Sequence, residues 1–228
     1  MRTVTAMRAL LVANAVDADA GFVGDRFRAH GYAFTECHRE SPGEWPALDG
    51  HDLVLTLGSE WSVYWTDIER EVAAETSLVC AARARGVPVF GICYGAQLLA
   101  HAFGGAVRRS TTPEIGWYEV DSEIPDVIAT GPWLQWHYDV VDVPPGATQL
   151  AVSPVGPQAF CVERVVATQF HPEATETMLR RWSAGSGGDE LRRSGSSPEE
   201  LLEQTRVAVL TSAPAAGRIV DWFLETTG

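Results

Sequence analysis

The chain has 228 residues and a formal charge of −13, from 30 acidic against 17 basic side chains. A surface that acidic repels phosphate backbones, which argues against nucleic acid or an anionic membrane as a direct partner. Every basic residue is an arginine, so Schiff-base chemistry, a pyridoxal lysine and a Walker-type phosphate loop are excluded.

The length suits one α/β domain over residues 1–228 with a full core. Cys37, Cys80, Cys93 and Cys161 are scattered with no CxxC pair, so neither zinc nor a disulfide framework is expected, and a reducing, cytoplasmic compartment is the expectation. Adjacent Cys37 and His38 make no metal site without further ligands. The N-terminus has the look of a signal peptide only over Ala9–Ala13, because Asn14, Asp17 and Asp19 interrupt the apolar run; a first strand is expected there. No apolar run approaches the length of a membrane span.

In chain order, Arg8–Ala13 is predicted as a strand, Ala20–His30 as a helix with Phe22, Val23, Phe27 and Ala29 on its apolar side, and Tyr32–Cys37 as a short strand. Pro42, Gly43 and Pro46 mark a loop. Asp52–Leu57, DLVLTL, reads as a buried strand that runs into Gly58-Ser59-Glu60, small residues that let backbone N–H groups approach a ligand at the sheet's carboxyl edge. Thr66–Arg85 carries the longest helical pattern, and Gly86 follows as its C-cap.

Val87–Ala102, VPVFGICYGAQLLAHA, changes period in its middle. Val87, Val89, Phe90 and Ile92 read as a buried parallel strand, whereas Leu98, Leu99 and Ala102 recur at helical spacing. The change falls at Cys93. Gly91 and Gly95 remove the Cβ atoms that would clash in a sharp strand-to-helix turn. Such a turn is a nucleophile elbow with sulfur in place of oxygen, and the helix starting at Tyr94 aims its free N–H groups at the sulfur, which favours thiolate over thiol. A buried structural cysteine between two glycines is the competing reading of the pentapeptide.

Beyond Gly104-Gly105 the character changes, and Ala106–Arg164 is predicted as shorter, mixed strands separated by turns. Val165–Phe170 is again a buried strand and delivers His171-Pro172-Glu173. Glu176–Trp182 restarts a helix. Residues 183–197, rich in Gly and Ser, are expected to form a mobile loop. Ser197-Pro198-Glu199-Glu200 is a capping box, and two C-terminal helices are expected over 198–228, near Pro198–Thr211 and Ala213–Thr226.

A nucleophilic cysteine needs a base to collect its proton and a third group to hold that base. Of six histidines, His171 stands directly after a buried strand, and Glu173, two residues on, shares its side of an extended segment. Pro172 stiffens the backbone between them. His171 alone reads equally as a histidine capping a strand; the elbow and the Gly58-Ser59 loop tip the balance.

GICYGAQ, QFHPE and LGSE together resemble the triad-type (class I) glutamine amidotransferases, whose elbow is G-x-C-x-G-x-Q and whose base and acid form H-P-E. Glu114-Ile115-Gly116-Trp117, His137-Tyr138-Asp139 and Pro144-Pro145-Gly146-Ala147 are similar to segments of free-standing members. The resemblance runs from the first strand to about Trp182. It implies a mostly parallel, doubly wound α/β sheet flanked by helices, flavodoxin-like, with the site at the carboxyl edge, and no cofactor or metal. By resemblance, Cys93 would attack the γ-amide carbon, His171 would pass the proton to the departing amine, and Glu173 would hold the imidazole. The N–H of Tyr94 and one from Gly58 or Ser59 would form the oxyanion hole, and Gln97 would contact the glutamate moiety.

The oxyanion loop departs from the family pattern, with GSE and Trp61 where many relatives have GGP or GSP. Trp61, Tyr64 and Trp65 beside it are either a wall on the acceptor side or core packing. Trp133 and Trp136 invite the same two readings; the resemblance implies that this loop, with Gln135, Trp136 and His137, approaches the amino-acid end of the substrate, with His137 structural or supporting rather than a second base. The substrate implied is a small γ-glutamyl amide. Either a separate synthetase partner receives ammonia, or the chain is a self-sufficient γ-glutamyl hydrolase or peptidase releasing a larger amine, which large aromatics near the loop favour. A non-catalytic regulatory module and the chaperone/peptidase-like branch with a cysteine elbow fit less well: the first would not need Cys93, His171 and Glu173 together, and the second places its acid before the elbow.

Overall fold

A computed structural model describes residues 7–228. Strand β1 (Met7–Ala13), helix α1 (Gly21–Ala29), β2 (Tyr32–His38), β3 (Leu53–Thr56), α2 (Glu69–Ala84), β4 (Val89–Ile92) and α3 (Tyr94–Ala102) make the first half. After β5 (Ala106–Tyr118), β6 (Asp121–Ser122), β7 (Trp133–Asp142), β8 (Thr148–Val152), β9 (Pro157–Val162) and β10 (Val165–Thr168) come α4 (Glu176–Trp182), α5 (Ser186–Arg193) and α6 (Pro198–Thr227).

One eight-stranded sheet runs β2-β1-β3-β4-β10-β9-β8-β6. The five strands from β2 to β10 are parallel, and the pairs from β10 onward are antiparallel. The fold is therefore the mixed α/β architecture with a mostly parallel sheet that the motifs imply. β3, β4 and β10 are buried along their whole length, as central strands covered on both faces must be, which is why they read as continuous apolar runs. On one face Phe27, Phe90 and Phe223 meet edge to face, with centroids 5.3–6.1 Å apart. On the other, Val72 and Val79 of α2 pack with Leu98 and Leu99 of α3.

The segment expected to hold only short strands contains two long ones. β5 and β7 pair antiparallel as a separate two-stranded sheet, and each outruns its hydrophobic pattern because Arg108 to Thr112 and the Trp136–Asp139 stretch are polar or half-exposed. The expected mobile loop over 183–197 is also corrected: it contains α5. Glycine supplies no propensity for a helix, but Gly187 abuts the Trp182 carbonyl and the Trp136 ring, and Leu191 is buried against Leu179 and Leu201; tertiary packing overrides composition here. The two expected C-terminal helices are one, since α6 continues through Pro214. The capping box at its start is present, with Ser197 accepting from the Glu200 N–H and Glu200 from the Ser197 N–H. α6 is also long and apolar enough to cross a membrane by length and composition, contrary to the expectation that no run is; Ile219, Val220 and Phe223 on it lie in the main core.

Candidate active site

The ends of β3, β4 and β10 lie side by side, so the residues that follow them converge on one edge of the sheet. After β4 the chain reverses at Cys93, with φ +52° and ψ −106°. A side chain rarely occupies this region of backbone space, and holding one there costs of order 1–3 kcal/mol. The surroundings enforce it. The Cys93 N–H donates to the Thr168 carbonyl at 2.8 Å, and a Cβ at Gly95 would lie 2.3 Å from the Thr56 carbonyl oxygen. Because Tyr94 opens α3, its N–H has no acceptor within the helix and remains available at the turn.

After β10, the His171 N–H donates to the Leu134 carbonyl at 2.8 Å, which locks this segment onto β7. The His171 Nδ1 lies 2.7 Å from Glu173 Oε1, and both side chains are buried. Burial alone would lower the His171 pKa; the Glu173 carboxylate and the Cys93 sulfur outweigh it and hold the imidazole well above its ordinary range. Trp182 sets its ring edge-on to His171, with centroids 5.0 Å apart, and is in turn met by Trp136 at 6.2 Å. The Cys93 Sγ lies 3.9 Å from the Trp136 carbonyl. A Cβ at Gly58 would lie 3.0 Å from His171 Cε1 and 3.6 Å from the Cys93 Cβ, so only a glycine lets the loop after β3 close over both.

These groups share a cavity of about 390 Å³, within the range of small-ligand sites, about 300–1,000 Å³. Its floor holds Cys93, His171, Glu173, Gly58, Ser59 and Gln97; β7 contributes Trp136, His137, Tyr138 and Asp139. Trp61 and Trp65 form part of the wall with Arg109, and Ser186, Gly187 and Glu190 close it from α5. The expected Gln135 is not among the lining residues. It is fully buried, and its Nε2 donates to Gln158 Oε1 at 2.8 Å. Trp133 is core, stacked on Phe170 at 4.7 Å, and Tyr64 hydrogen bonds to Asp139. His137 is buried with Nδ1 3.0 Å from the Asp139 carbonyl and Nε2 3.1 Å from Glu114; Glu114 also accepts from Ser153 and Gln158. Nδ1 is hydrogen bonded, whereas Nε2 approaches Glu114 without hydrogen-bond geometry. Among the described residues no group of three or more His, Cys, Asp or Glu is placed to hold a metal ion.

The other buried cysteine, Cys37, is not among the residues lining the cavity. Burial, aided by Glu75, pushes the Cys37 thiol up to about 11, where it is a core side chain and no nucleophile.

The family model for "Glutamine amidotransferase class-I" matches residues 67–181, just over half of the chain. The chain belongs to the class I glutamine amidotransferases. A GMP synthase [glutamine-hydrolyzing] from Aeropyrum pernix is 36% identical over 138 residues, covering 54% of this chain and 27% of that protein. Its namesake from Aquifex aeolicus is 39% identical over 103 residues, 41% of this chain and 20% of the relative. The chain thus spans about a quarter of the length of these relatives. Among solved structures, a glutamine amidotransferase from Thermotoga maritima superposes with a TM-score of 0.85 at 27% identity, covering 97% of this chain and 99% of the other.

Within this amidotransferase fold the lining residues Arg109 and Glu190 belong to no motif read from the sequence, and Asp139, which does, makes contacts that no motif shows. Arg109 stacks on Tyr138 with its guanidinium 4.3 Å from the ring centroid. Glu190 accepts from Trp136 Nε1 at 2.9 Å. Asp139 accepts from Ser62 and Tyr64, which ties the loop after β3 to β7. Their partners are distant in sequence, so only the fold brings them together.

Proposed function

We propose that the chain hydrolyses a γ-glutamyl amide, glutamine or a γ-glutamyl conjugate, through a glutamyl thioester on Cys93. The observation that carries this reading is the buried His171–Glu173 pair facing, in one cavity, a cysteine held on a strained elbow. The Cys93 Sγ attacks the γ-carbonyl carbon and the C–N bond breaks; His171 delivers the sulfur's proton to the departing nitrogen. Water then gives a proton to His171 and attacks the thioester, and the C–S bond breaks to return the thiol and release glutamate. Glu173, accepting from Nδ1, keeps Nε2 available for both transfers. The N–H of Tyr94 with that of Gly58 or Ser59 stabilises the oxyanion, a contribution of ~3 kcal/mol for a single donor. Gln97, Trp136 and His137 surround the glutamate half.

In this reading ammonia passes to a separate synthetase partner, which the glutamine-hydrolysing relatives support, in a reducing cytoplasm that suits the four free cysteines. A second reading, release of a larger amine by the chain alone, is favoured by the large side chains of Trp61, Trp65 and Arg109, which line the same cavity as Cys93. The test is glutamate release from the purified chain offered glutamine and a panel of γ-glutamyl amides and peptides, with Cys93→Ala as control. Slow turnover of glutamine alone supports a missing synthetase; fast turnover of one conjugate supports the second reading. No Cys93-dependent turnover of anything offered, with candidate synthetases added, would sink both.

A further inference from the structure

Arg39 follows β2 and is buried to 1% exposure together with Glu75 of α2. A buried ion pair is weak grounds for stability, because apolar side chains of the same volume do as well. What distinguishes this one is where its remaining donors go. Nε donates to Glu75 Oε2 at 2.9 Å. Nη1 donates to the Gly58 carbonyl at 3.0 Å and to Asn14 Oδ1 at 3.1 Å; Nη2 donates to the Leu57 carbonyl at 2.7 Å and to Thr56 Oγ1 at 3.0 Å. The guanidinium plane also lies 4.6 Å from the centroid of the Tyr94 ring. One side chain therefore grips both segments that carry the oxyanion donors, the loop after β3 and the first residue of α3.

Peptide geometry gives the grip a direction. In a trans peptide the C=O and the following N–H point opposite ways. Holding the Leu57 and Gly58 carbonyls turns the N–H groups of Gly58 and Ser59 away from Arg39, and Gly58 is the residue that meets Cys93 and His171. Building on the hydrolase reading above, we infer that Arg39 is a positioning residue that presets the oxyanion hole, fixing the Gly58–Ser59 amides and Tyr94 relative to each other before substrate arrives. Its planar fork is what the task requires. A lysine would keep the charge opposite Glu75 but cannot hold two adjacent carbonyls and stack on a ring at once.

The experiment compares the full-length wild type with Arg39→Lys and with Arg39→Met/Glu75→Leu, which removes both charges at similar volume. For each, glutamate release from glutamine and from γ-glutamyl-p-nitroanilide gives kcat and KM. Alkylation of Cys93 by iodoacetamide, which passes through no tetrahedral oxyanion, reports the nucleophile alone, and a thermal melt reports the fold. In both variants kcat should fall by about 10- to 100-fold, approaching the ~10²–10³ of a lost oxyanion donor, while KM and the alkylation rate stay within about threefold. Retention of kcat within about twofold by either variant, a parallel fall of kcat, alkylation and melting temperature, or failure of both to fold would overturn the inference. A wild type that is alkylated normally yet releases no glutamate from either compound overturns the hydrolase reading itself, and this inference with it.

Discussion

Gly95 stands so close to Thr56 that a Cβ on it would lie 2.3 Å from the Thr56 carbonyl oxygen and 2.9 Å from the carbonyl carbon. The contact is backbone against backbone, so no side chain can swing aside. Gly95→Ala should destabilise the chain by about 1–3 kcal/mol, as overpacking does, and lower activity because α3 must retreat from β3. Urea unfolding and glutamate release measured on the same preparation check both.

Cys93 is strained where Gly95 is merely crowded. At φ +52° a glycine is at ease and an alanine is not. Cys93→Gly should therefore be more stable than Cys93→Ala by about 1 kcal/mol, the reverse of the usual order, and both should be inactive. Equal stability of the two variants would show that the elbow relaxes once the sulfur is gone.

The raised His171 pKa has a sign that can be followed. A histidine whose folded-state value lies above its unfolded one stabilises the fold fully below about pH 6.5, and that contribution disappears as pH rises through the folded value. The stability gap between wild type and His171→Gln should accordingly narrow as pH rises above about 6.5. Replacing Glu173 by Gln removes the leading upward influence. It should move the alkaline limb of kcat/KM to lower pH and reduce kcat by about 10²–10⁴, the size of a general acid–base contribution.

Helix α5 closes the cavity by way of Gly187, whose added Cβ would lie 1.8 Å from the Trp182 carbonyl and 3.3 Å from the Trp136 ring. Gly187→Ala should push α5 off that wall. Faster hydrogen exchange over residues 186–193, with KM rising more than kcat falls, is the expected pattern; unchanged exchange there would mean that α5 tolerates the shift.

How much of this was legible before the structure follows from where each signal lies. Cys93, His171 and Glu173 sit at junctions where hydrophobic period changes or a buried run ends, and such junctions are local in sequence. Residues 183–197 misled because their helix is held by Trp182, Trp136 and Leu179, all outside the segment. Pro214 misled in the opposite way: Ala215, Ala216 and Ile219 dock on the core firmly enough to carry the helix past it. Gln135 was expected at the substrate because in the family this loop approaches the amino-acid end of glutamine, yet its side chain is fully buried and its amide joins Gln158 instead. Arg39 left no trace at all, since an arginine after a strand is ordinary until the carbonyls around it are known.

The Cys93 amide leans on Thr168, and Leu134 anchors the segment bearing His171. A growing chain that has emerged only as far as α3 carries the thiol but neither the strand that braces the elbow nor the histidine that would accept its proton. On the proposed hydrolase reading, synthesis in this order would leave Cys93 without its base until β10 and the segment after it have been made.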